Sequence, residues 1–283
     1  MERGIRVLQS MGFGVKIAGD IRSDHPYLAG SDQSRADTLL SLWYDNDVQA
    51  LMAVRGGFGC MRLMPYLDVQ RVRNNPKLLI GFSDLTALLQ ALYVQAGVVG
   101  IHGPVVTTLG DLDEQSARHF FSLICGTMNR PVTSPNLEIL RPGWSRGPLI
   151  GGNLTTLVHL IGTPWECPWK GSILLLEDTG EPLYRIDRML TQLACSGKLA
   201  QLSGLILGSF DTGQEGNELP QIRLQEQVWN RVLELTAPYT YPVWARFPLG
   251  HQQANMALPI GMEADMNSAT GQLLFLAKEV RFL

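Results

Sequence analysis

The sequence has 283 residues, of which 45% are hydrophobic and 17% charged, with a net charge of −3; this is the composition of a globular protein and not of a disordered chain. No block of about five or more like charges is present and the arginines are scattered, so we expect no nucleic-acid partner. No apolar stretch reaches the ~18 residues that span a bilayer, and the N-terminus lacks the long apolar run of a signal peptide, so we expect no membrane association.

The cysteines are far apart in the sequence, without a CxxC or similar spacing: Cys60, Cys125, Cys167 and Cys195. Isolated thiols are typical of buried cysteines in a reducing compartment, so we expect a cytoplasmic protein without disulfides. Because no pair of Cys or His residues has the spacing of metal ligands, we also expect no zinc site.

The first half of the chain alternates helices and strands, and at about 100–200 residues per domain its length favours two domains. The pattern predicts a helix over 2–11, a strand over Val15–Ala18, a helix over 33–44, strands over Val48–Val54 and 77–81, a helix from Asp84 to about Gln95 and a strand over Val98–Ile101. Nearly continuous apolar strands separated by helices indicate a parallel sheet that is covered on both faces. We therefore predict an α/β domain over residues 1–125.

Residues 126–148 are rich in Gly, Pro, Asn and Ser, which predicts a linker. The elements predicted after it are helices over Asn153–Ile161, Pro182–Ala194 and Leu224–Leu235 and strands over Ser172–Leu176, Leu205–Leu207, 256–265 and 272–278. The turn at 267–271 is expected to join the last two strands as a hairpin. These elements predict a second domain over 149–283, of the α+β class and rich in β-strands.

The segment 77–86 is the most informative, because an apolar strand runs into Ser83 and Asp84 and a helix begins at once. A serine at such a turn is held above the sheet edge, beside a helix N-terminus that favours negative charge, as in a nucleophile elbow. Gly81 fits the crowding of that turn, whereas Leu85 stands where a second glycine is typical. Capping of the helix by Ser83 or Asp84 explains the same residues, so both interpretations stay open.

Two other strand ends carry candidate site residues. The loop 55–59 (RGGFG) has glycines whose backbone N–H groups could approach a ligand and complete an oxyanion hole beside Ser83. A plain turn or a phosphate loop is the alternative, although GxGxxG and a following Lys-Ser/Thr pair are absent. Glu177 and Asp178 end another apolar strand, where either could orient a histidine or simply solvate the strand end.

Two of the five histidines, His102 and His251, follow strands and could reach a cleft at the sheet edge. Either could act as a general base. His25, His119 and His159 lie in a polar loop or on predicted helices, where a structural or exposed position is the simpler interpretation.

Together these segments resemble the LD-carboxypeptidase family of serine peptidases. The matching segments occur in the family's order across nearly the whole chain: Ala53–Gly59, Gly81–Asp84, Gly103–Pro104, Gly151–Leu154, Leu160–Trp165, Leu176–Asp178, Tyr184–Leu190, Leu207–Phe210 and Gly250–His251. Each match is short, but the ordered set is specific.

The resemblance implies a catalytic triad of Ser83, Glu177 and His251, with Glu181 as the alternative acid. It implies no metal and no other cofactor. The site is expected in the cleft between the domain that carries the serine and the domain that carries the glutamate and the histidine.

The resemblance also implies an oxyanion hole formed by the backbone N–H groups of Gly57 and Asp84. The implied substrate is a murein tetrapeptide, from which the enzyme releases the terminal D-alanine at an L-to-D peptide bond during cell-wall recycling. A homodimer is implied as well.

One departure from the family pattern concerns the N-terminus. Family members begin with an apolar strand and a Pro-Ser turn before the helix that here begins at Glu2, and that segment is absent from this sequence. We therefore expect the first sheet to lack one strand, without an effect on the implied triad.

Two alternative functions stay open. A related immunity peptidase would cleave microcin C-type peptidyl-nucleotides, but the loop around Gly213 to Leu219 is polar and has no aromatic residue to stack on a base. A nonenzymatic small-ligand-binding module would be favoured if Ser83, Glu177 and His251 were not within hydrogen-bond reach of one another.

Overall fold

The computed structural model describes residues 1–19, 26–128, 130–211, 213 and 218–276. His25, most of the polar loop around Gly213 to Leu219, and the end of the last predicted strand lie outside the described residues. The helices of the described part are α1 (Glu2–Ser10), α2 (Asp32–Tyr44), α3 (Val69–Asn74), α4 (Thr86–Ala96), α5 (Val106–Leu109), α6 (Glu114–Ile124), α7 (Leu154–Val158), α8 (Leu183–Cys195) and α9 (Glu218–Leu235). Short 3-10 segments occupy Cys60–Tyr66, Ser83–Leu85 and Leu199–Gln201.

The strands of the described part form two sheets. They are β1 (Ala50–Met52), β2 (Leu78–Gly81), β3 (Gly100–His102), β4 (Val132–Thr133), β5 (Glu138–Arg141), β6 (Trp144–Asn153), β7 (Ile173–Thr179), β8 (Gly204–Asp211), β9 (Val243–Ala245), β10 (Leu258–Ile260), β11 (Glu263–Asn267) and β12 (Gln272–Phe275).

The first sheet has the order β1-β2-β3-β10, and its first three strands are parallel. The helix α4 connects β2 to β3 and is apolar on nearly every side, so it is a buried interior helix. It ends at Gly97, whose φ of 69° provides the left-handed conformation of a helix C-terminus. This βαβ unit is the predicted parallel α/β arrangement.

The second sheet has the order β4-β12-β11-β6-β7-β8-β9-β5. Its centre, β6 to β9, is parallel, and the strands on both sides are antiparallel. Buried apolar residues of β7 and β8 pack against α7, α8 and α9 on one face of the sheet. The fold is thus an α/β domain followed by a strand-rich α+β domain, which confirms the predicted fold class.

Three local predictions are wrong. Residues 15–18 form no strand, because no neighbouring strand of the described chain pairs with them. Residues 126–148 were expected to be a linker but contribute β4, β5 and the start of β6 to the second sheet. The segment 256–265 is divided at Gly261 (φ 91°): β10 pairs with β3 of the first sheet, and β11 pairs with β12 and β6.

The cysteines agree only in part with the prediction. All four are free, but Cys125 and Cys195 are exposed, whereas Cys60 and Cys167 are buried. No helix of the described chain is both long enough and apolar enough to cross a membrane.

The two sheets meet through hydrogen bonds between α4 and the end of β6. Gln90 Nε2 donates to the carbonyl oxygen of Gly151 at 2.8 Å, and Thr86 Oγ1 accepts from the backbone N–H of Asn153 at 3.0 Å. Both contacts are buried, so the helix that follows Ser83 is fixed against the C-terminal end of β6 in the second sheet. The candidate site lies at this junction.

Candidate active site

Ser83 lies at the sharp turn between β2 and α4. Its φ is +61°, a left-handed conformation that is uncommon for a residue other than glycine. Gly81 has a φ of 157°, and a Cβ there would lie 2.4 Å from Leu85 Cδ2, so the turn requires glycine at this position. The strained serine is partly exposed, while Phe82 before it and Leu85 after it are buried.

Neither polar residue of this turn caps the helix. The residue at the N-cap of α4 is Leu85, and no side chain of the turn accepts a capping hydrogen bond. Instead, Asp84 Oδ2 accepts from the backbone N–H of Cys60 at 2.8 Å. The carboxylate therefore ties the end of the glycine loop to the serine turn.

The glycine loop packs directly on the serine. A Cβ at Gly56 would lie 3.2 Å from Ser83 Cβ and 3.3 Å from Ser83 Oγ, so a side chain there would crowd the hydroxyl. Gly57 follows with a φ of 148° and is exposed. The loop thus lies on the partly exposed side of Ser83, where a ligand would meet its backbone N–H groups.

Glu177 and His251 form a hydrogen-bonded pair. His251 Nδ1 lies 2.9 Å from Glu177 Oε2, and because a carboxylate only accepts, Nδ1 is the donor. Glu177 is fully buried near the end of β7, and His251 follows Gly250 in the loop after β9, with 26% of its side chain exposed. In the neutral imidazole this arrangement leaves Nε2 of His251 without a proton and able to accept one.

The surroundings of His251 favour its protonated form. Burial by itself would lower the pKa of His251, but the hydrogen bond and the charge of Glu177 oppose this effect. Asp211 and Asp178 add to the negative potential, and the pKa of His251 is raised above its ordinary value. An imidazole that gains a proton from a nucleophile is therefore stabilised here.

The histidine and the serine turn are neighbours across the junction of the two sheets. The ring of Phe82 lies 4.7 Å from the ring of His251, centroid to centroid. The structure gives no hydrogen bond between Ser83 Oγ and His251. In ligand-free active sites such hydrogen bonds are often long and shorten when substrate binds.

The other two candidates are not part of the hydrogen-bonded pair. Glu181 precedes α8, forms an ion pair with Arg185 of that helix at 3.4 Å and makes no hydrogen bond with His251. His102 is fully buried, and burial lowers its pKa to about 3, with a smaller contribution from the charge of His251. A histidine that is neutral at every physiological pH and closed off from solvent is a poor general base.

The residues that hold Asp178 were not identified from the sequence. This buried carboxylate accepts from Asn153 Nδ2, from the backbone N–H of Thr179, and from both the N–H and the hydroxyl of Thr155, at 2.8–3.1 Å. Burial raises the pKa of Asp178 to about 6, against the effect of these donors. The segment Gly151–Leu154 was the available signal, and its asparagine connects the ends of β6 and β7 beside Glu177.

No group of three or more His, Cys, Asp or Glu side chains in the described ranges could hold a metal ion. The chemistry that these residues can support is acyl transfer: a hydroxyl at a strained turn, a carboxylate-bound imidazole beside it, and a glycine loop with exposed backbone.

Fold and site together define a two-domain α/β protein with the parts of a hydrolase at the domain junction. Residues 1–103 match the family described as LD-carboxypeptidase N-terminal domain, and residues 146–266 match the LD-carboxypeptidase C-terminal domain. The chain is 34% identical to the murein tetrapeptide carboxypeptidase of Pseudomonas aeruginosa, over 93% of this chain and 87% of that protein. The chain therefore belongs to the LD-carboxypeptidase family, as the resemblance indicated.

Solved structures agree with this assignment. The crystal structure of muramoyltetrapeptide carboxypeptidase from Oxalobacter formigenes has a TM-score of 0.79 at 30% identity, covering 96% of this chain and 91% of that one. The structure of MccF in complex with glutamyl sulfamoyl guanosine has a TM-score of 0.86 at 22% identity, covering 98% and 90%. The second similarity supports the two-domain fold alone.

Proposed function

We propose that this protein is a serine LD-carboxypeptidase that releases the terminal D-alanine from a murein tetrapeptide. The observation that carries the proposal is the hydrogen bond from His251 to the buried Glu177, formed next to a serine that is held in a left-handed turn. The identity of 34% to a protein named murein tetrapeptide carboxypeptidase supports the substrate class.

In the proposed mechanism Ser83 Oγ attacks the carbonyl carbon of the L-residue that precedes D-alanine, and its proton passes to His251 Nε2. The carbonyl oxygen becomes an oxyanion that accepts from the backbone N–H groups of Gly57 and Asp84. The C–N bond then breaks, and D-alanine leaves after its amine takes the proton from His251. Glu177 stabilises the imidazolium throughout.

Water completes the reaction. His251 accepts a proton from a water molecule, which attacks the ester carbonyl on Ser83. The tripeptide leaves as a carboxylic acid, and the serine hydroxyl regains its proton from the histidine. The cycle needs no metal ion and no cofactor, since all proton transfers use one imidazole.

The remaining parts of the proposal are a first domain over residues 1–125, a cytoplasmic location, a homodimer and a role in cell-wall recycling. They rest on the resemblance to the family and on the amino-acid composition. Sedimentation equilibrium tests the dimer, since a single species of 31.3 kDa would contradict it.

The test is release of D-alanine from L-Ala-D-Glu-meso-diaminopimelate-D-Ala. Wild type is expected to release it, and Ser83→Ala to lose at least about three orders of magnitude while its circular-dichroism melting curve stays the same. A matched peptide that ends in L-alanine is expected to be inert, because the terminal configuration defines this class.

Two results would favour one of the alternative functions instead. Cleavage of a peptidyl-adenylate but not of the tetrapeptide would favour the immunity peptidase. Binding of the tetrapeptide without cleavage, together with no labelling of Ser83 by a fluorophosphonate, would favour the nonenzymatic module.

A further inference from the structure

Glu177 has a carboxylate oxygen for which the described residues supply no hydrogen-bond partner. Oε2 accepts from His251, but Oε1 is buried and accepts from no group of the described chain. A buried carboxylate oxygen without a donor is costly and leaves the side chain free to turn. A second donor would both satisfy Oε1 and hold Oε2 on the imidazole.

The pairing of β7 with β8 places a serine opposite Glu177. Leu176 pairs with Leu207 and Asp178 pairs with Phe210, so two residues of β8 stand opposite Glu177 in a β-bulge. Those two residues are Gly208 and Ser209. The flanking Leu207 and Phe210 pack in the same core cluster as Leu176, so the bulge residues lie toward the opposite face, where Glu177 also points.

The serine hydroxyl and the carboxylate converge on Gly250, the residue before His251. A Cβ at Gly250 would lie 2.4 Å from Ser209 Oγ and 3.1 Å from Glu177 Oε2. Ser209 is 5% exposed, and its hydroxyl has no hydrogen-bond partner among the described residues. The absence of a side chain at Gly250 therefore lets the unpartnered hydroxyl of Ser209 and the carboxylate of Glu177 both approach the histidine loop.

Two other donors of this region already have acceptors. Asn153 Nδ2 donates to Asp178, and the backbone N–H of Gly250 donates to Asn255 Oδ1 at 3.1 Å. Ser209 keeps an uncommitted donor, and rotation about its Cα–Cβ bond moves that donor among staggered positions.

We propose that Ser209 is a positioning residue for Glu177: its hydroxyl donates to Oε1 and thereby holds Oε2 on His251 Nδ1. This inference rests on the roles proposed above for Glu177 and His251. Ser209 contacts neither substrate nor reacting atoms in this account, and it acts through the orientation of the carboxylate.

The titratable groups that act on His251 are Glu177 and Asp178 on β7, Asp211 on β8 and His102 on β3. Serine does not titrate in the relevant range. A substitution of Ser209 therefore changes the pKa of His251 through Glu177, and not by adding or removing a charge.

The test is a nuclear magnetic resonance titration of histidine ring signals in wild type, Ser209→Ala and Ser209→Thr, with His251→Asn used to assign the signal of His251. Ser209→Ala is expected to lower the pKa of His251, because a freely turning Glu177 stabilises the imidazolium less. It is also expected to reduce kcat/KM about tenfold, the usual effect of one hydrogen bond to a charged group. Ser209→Thr keeps the hydroxyl and should restore both quantities.

Ser145→Ala is the matched control. Ser145 is also 5% exposed with an unpartnered hydroxyl, but it lies near the start of β6, whereas Asn153 at the other end of that strand pairs with Glu177. An unchanged pKa of His251 in folded Ser209→Ala, an equal change in Ser145→Ala, or no restoration by threonine would each overturn the inference. The titration needs no substrate, so a wild type that releases no D-alanine would refute the proposed function separately.

Discussion

Replacement of Glu177 by glutamine separates the two acids that the sequence could not distinguish. The substitution keeps the shape of the side chain and removes its charge. A carboxamide that turns its nitrogen toward Nδ1 forces the proton of His251 onto Nε2, where the imidazole can no longer accept from Ser83. Whichever way the carboxamide turns, the imidazolium of His251 loses the negative charge of Glu177.

The loss expected for Glu177→Gln is about 10³–10⁴ in kcat, which corresponds to about 4–5.5 kcal/mol of transition-state stabilisation. The pKa of His251 should fall as well, because burial then acts without the opposing carboxylate. The assay is D-alanine release as a function of pH.

Glu181→Gln is the matched control for this prediction. Glu181 pairs with Arg185 at 3.4 Å, and the arginine side chain is 54% exposed. Ion pairs of this kind contribute little, so activity should change less than about threefold. A larger loss in Glu181→Gln than in Glu177→Gln would refute the assignment of the acid.

Two further predictions concern stability. Gly152→Ala should destabilise more than Gly162→Ala in urea unfolding: both glycines have positive φ, but only at Gly152 would a Cβ collide, 2.5 Å from Thr86 Oγ1. We expect about 1–2 kcal/mol for the backbone conformation in both variants and about 1–3 kcal/mol more at Gly152; equal losses would contradict the contact between the sheets. The second prediction compares wild type with His251→Gln. The unfolding free energy of wild type should exceed that of the variant by the largest amount below the ordinary histidine pKa of 6.5. Because the pKa of His251 is raised in the folded state, this difference is lost as the pH rises through that folded-state pKa. The measurement is urea unfolding at several pH values. The opposite trend would show that the pair with Glu177 does not form.

The serine turn could be predicted from the sequence because its signals are local. An apolar strand, Gly81 and the immediate start of a helix define the turn within ten residues. Whether Ser83 or Asp84 capped that helix was not predictable, since the partner of Asp84 is the backbone of Cys60, 24 residues away.

The apolar pattern could not distinguish Glu177 from Asp178 as the partner of the histidine, because it ended the predicted strand before both residues. The apolar run stops at Leu176, but β7 continues to Thr179. Once the strand continues, Glu177 and Asp178 point to opposite faces, and Glu177 alone faces the histidine loop. The pairing of β10 with the first sheet could not be predicted either. Residues 256–265 are one apolar segment, and its division at Gly261 depends on strands far away in the sequence.

A covalent intermediate on Ser83 can be trapped by a rapid acid quench of wild type reacting with the tetrapeptide, followed by mass spectrometry of the digested protein. We predict a tripeptidyl ester on the peptide that contains Ser83, formed as D-alanine appears and absent from Ser83→Ala. An ester on another residue, or D-alanine release by Ser83→Ala at the wild-type rate, would contradict it.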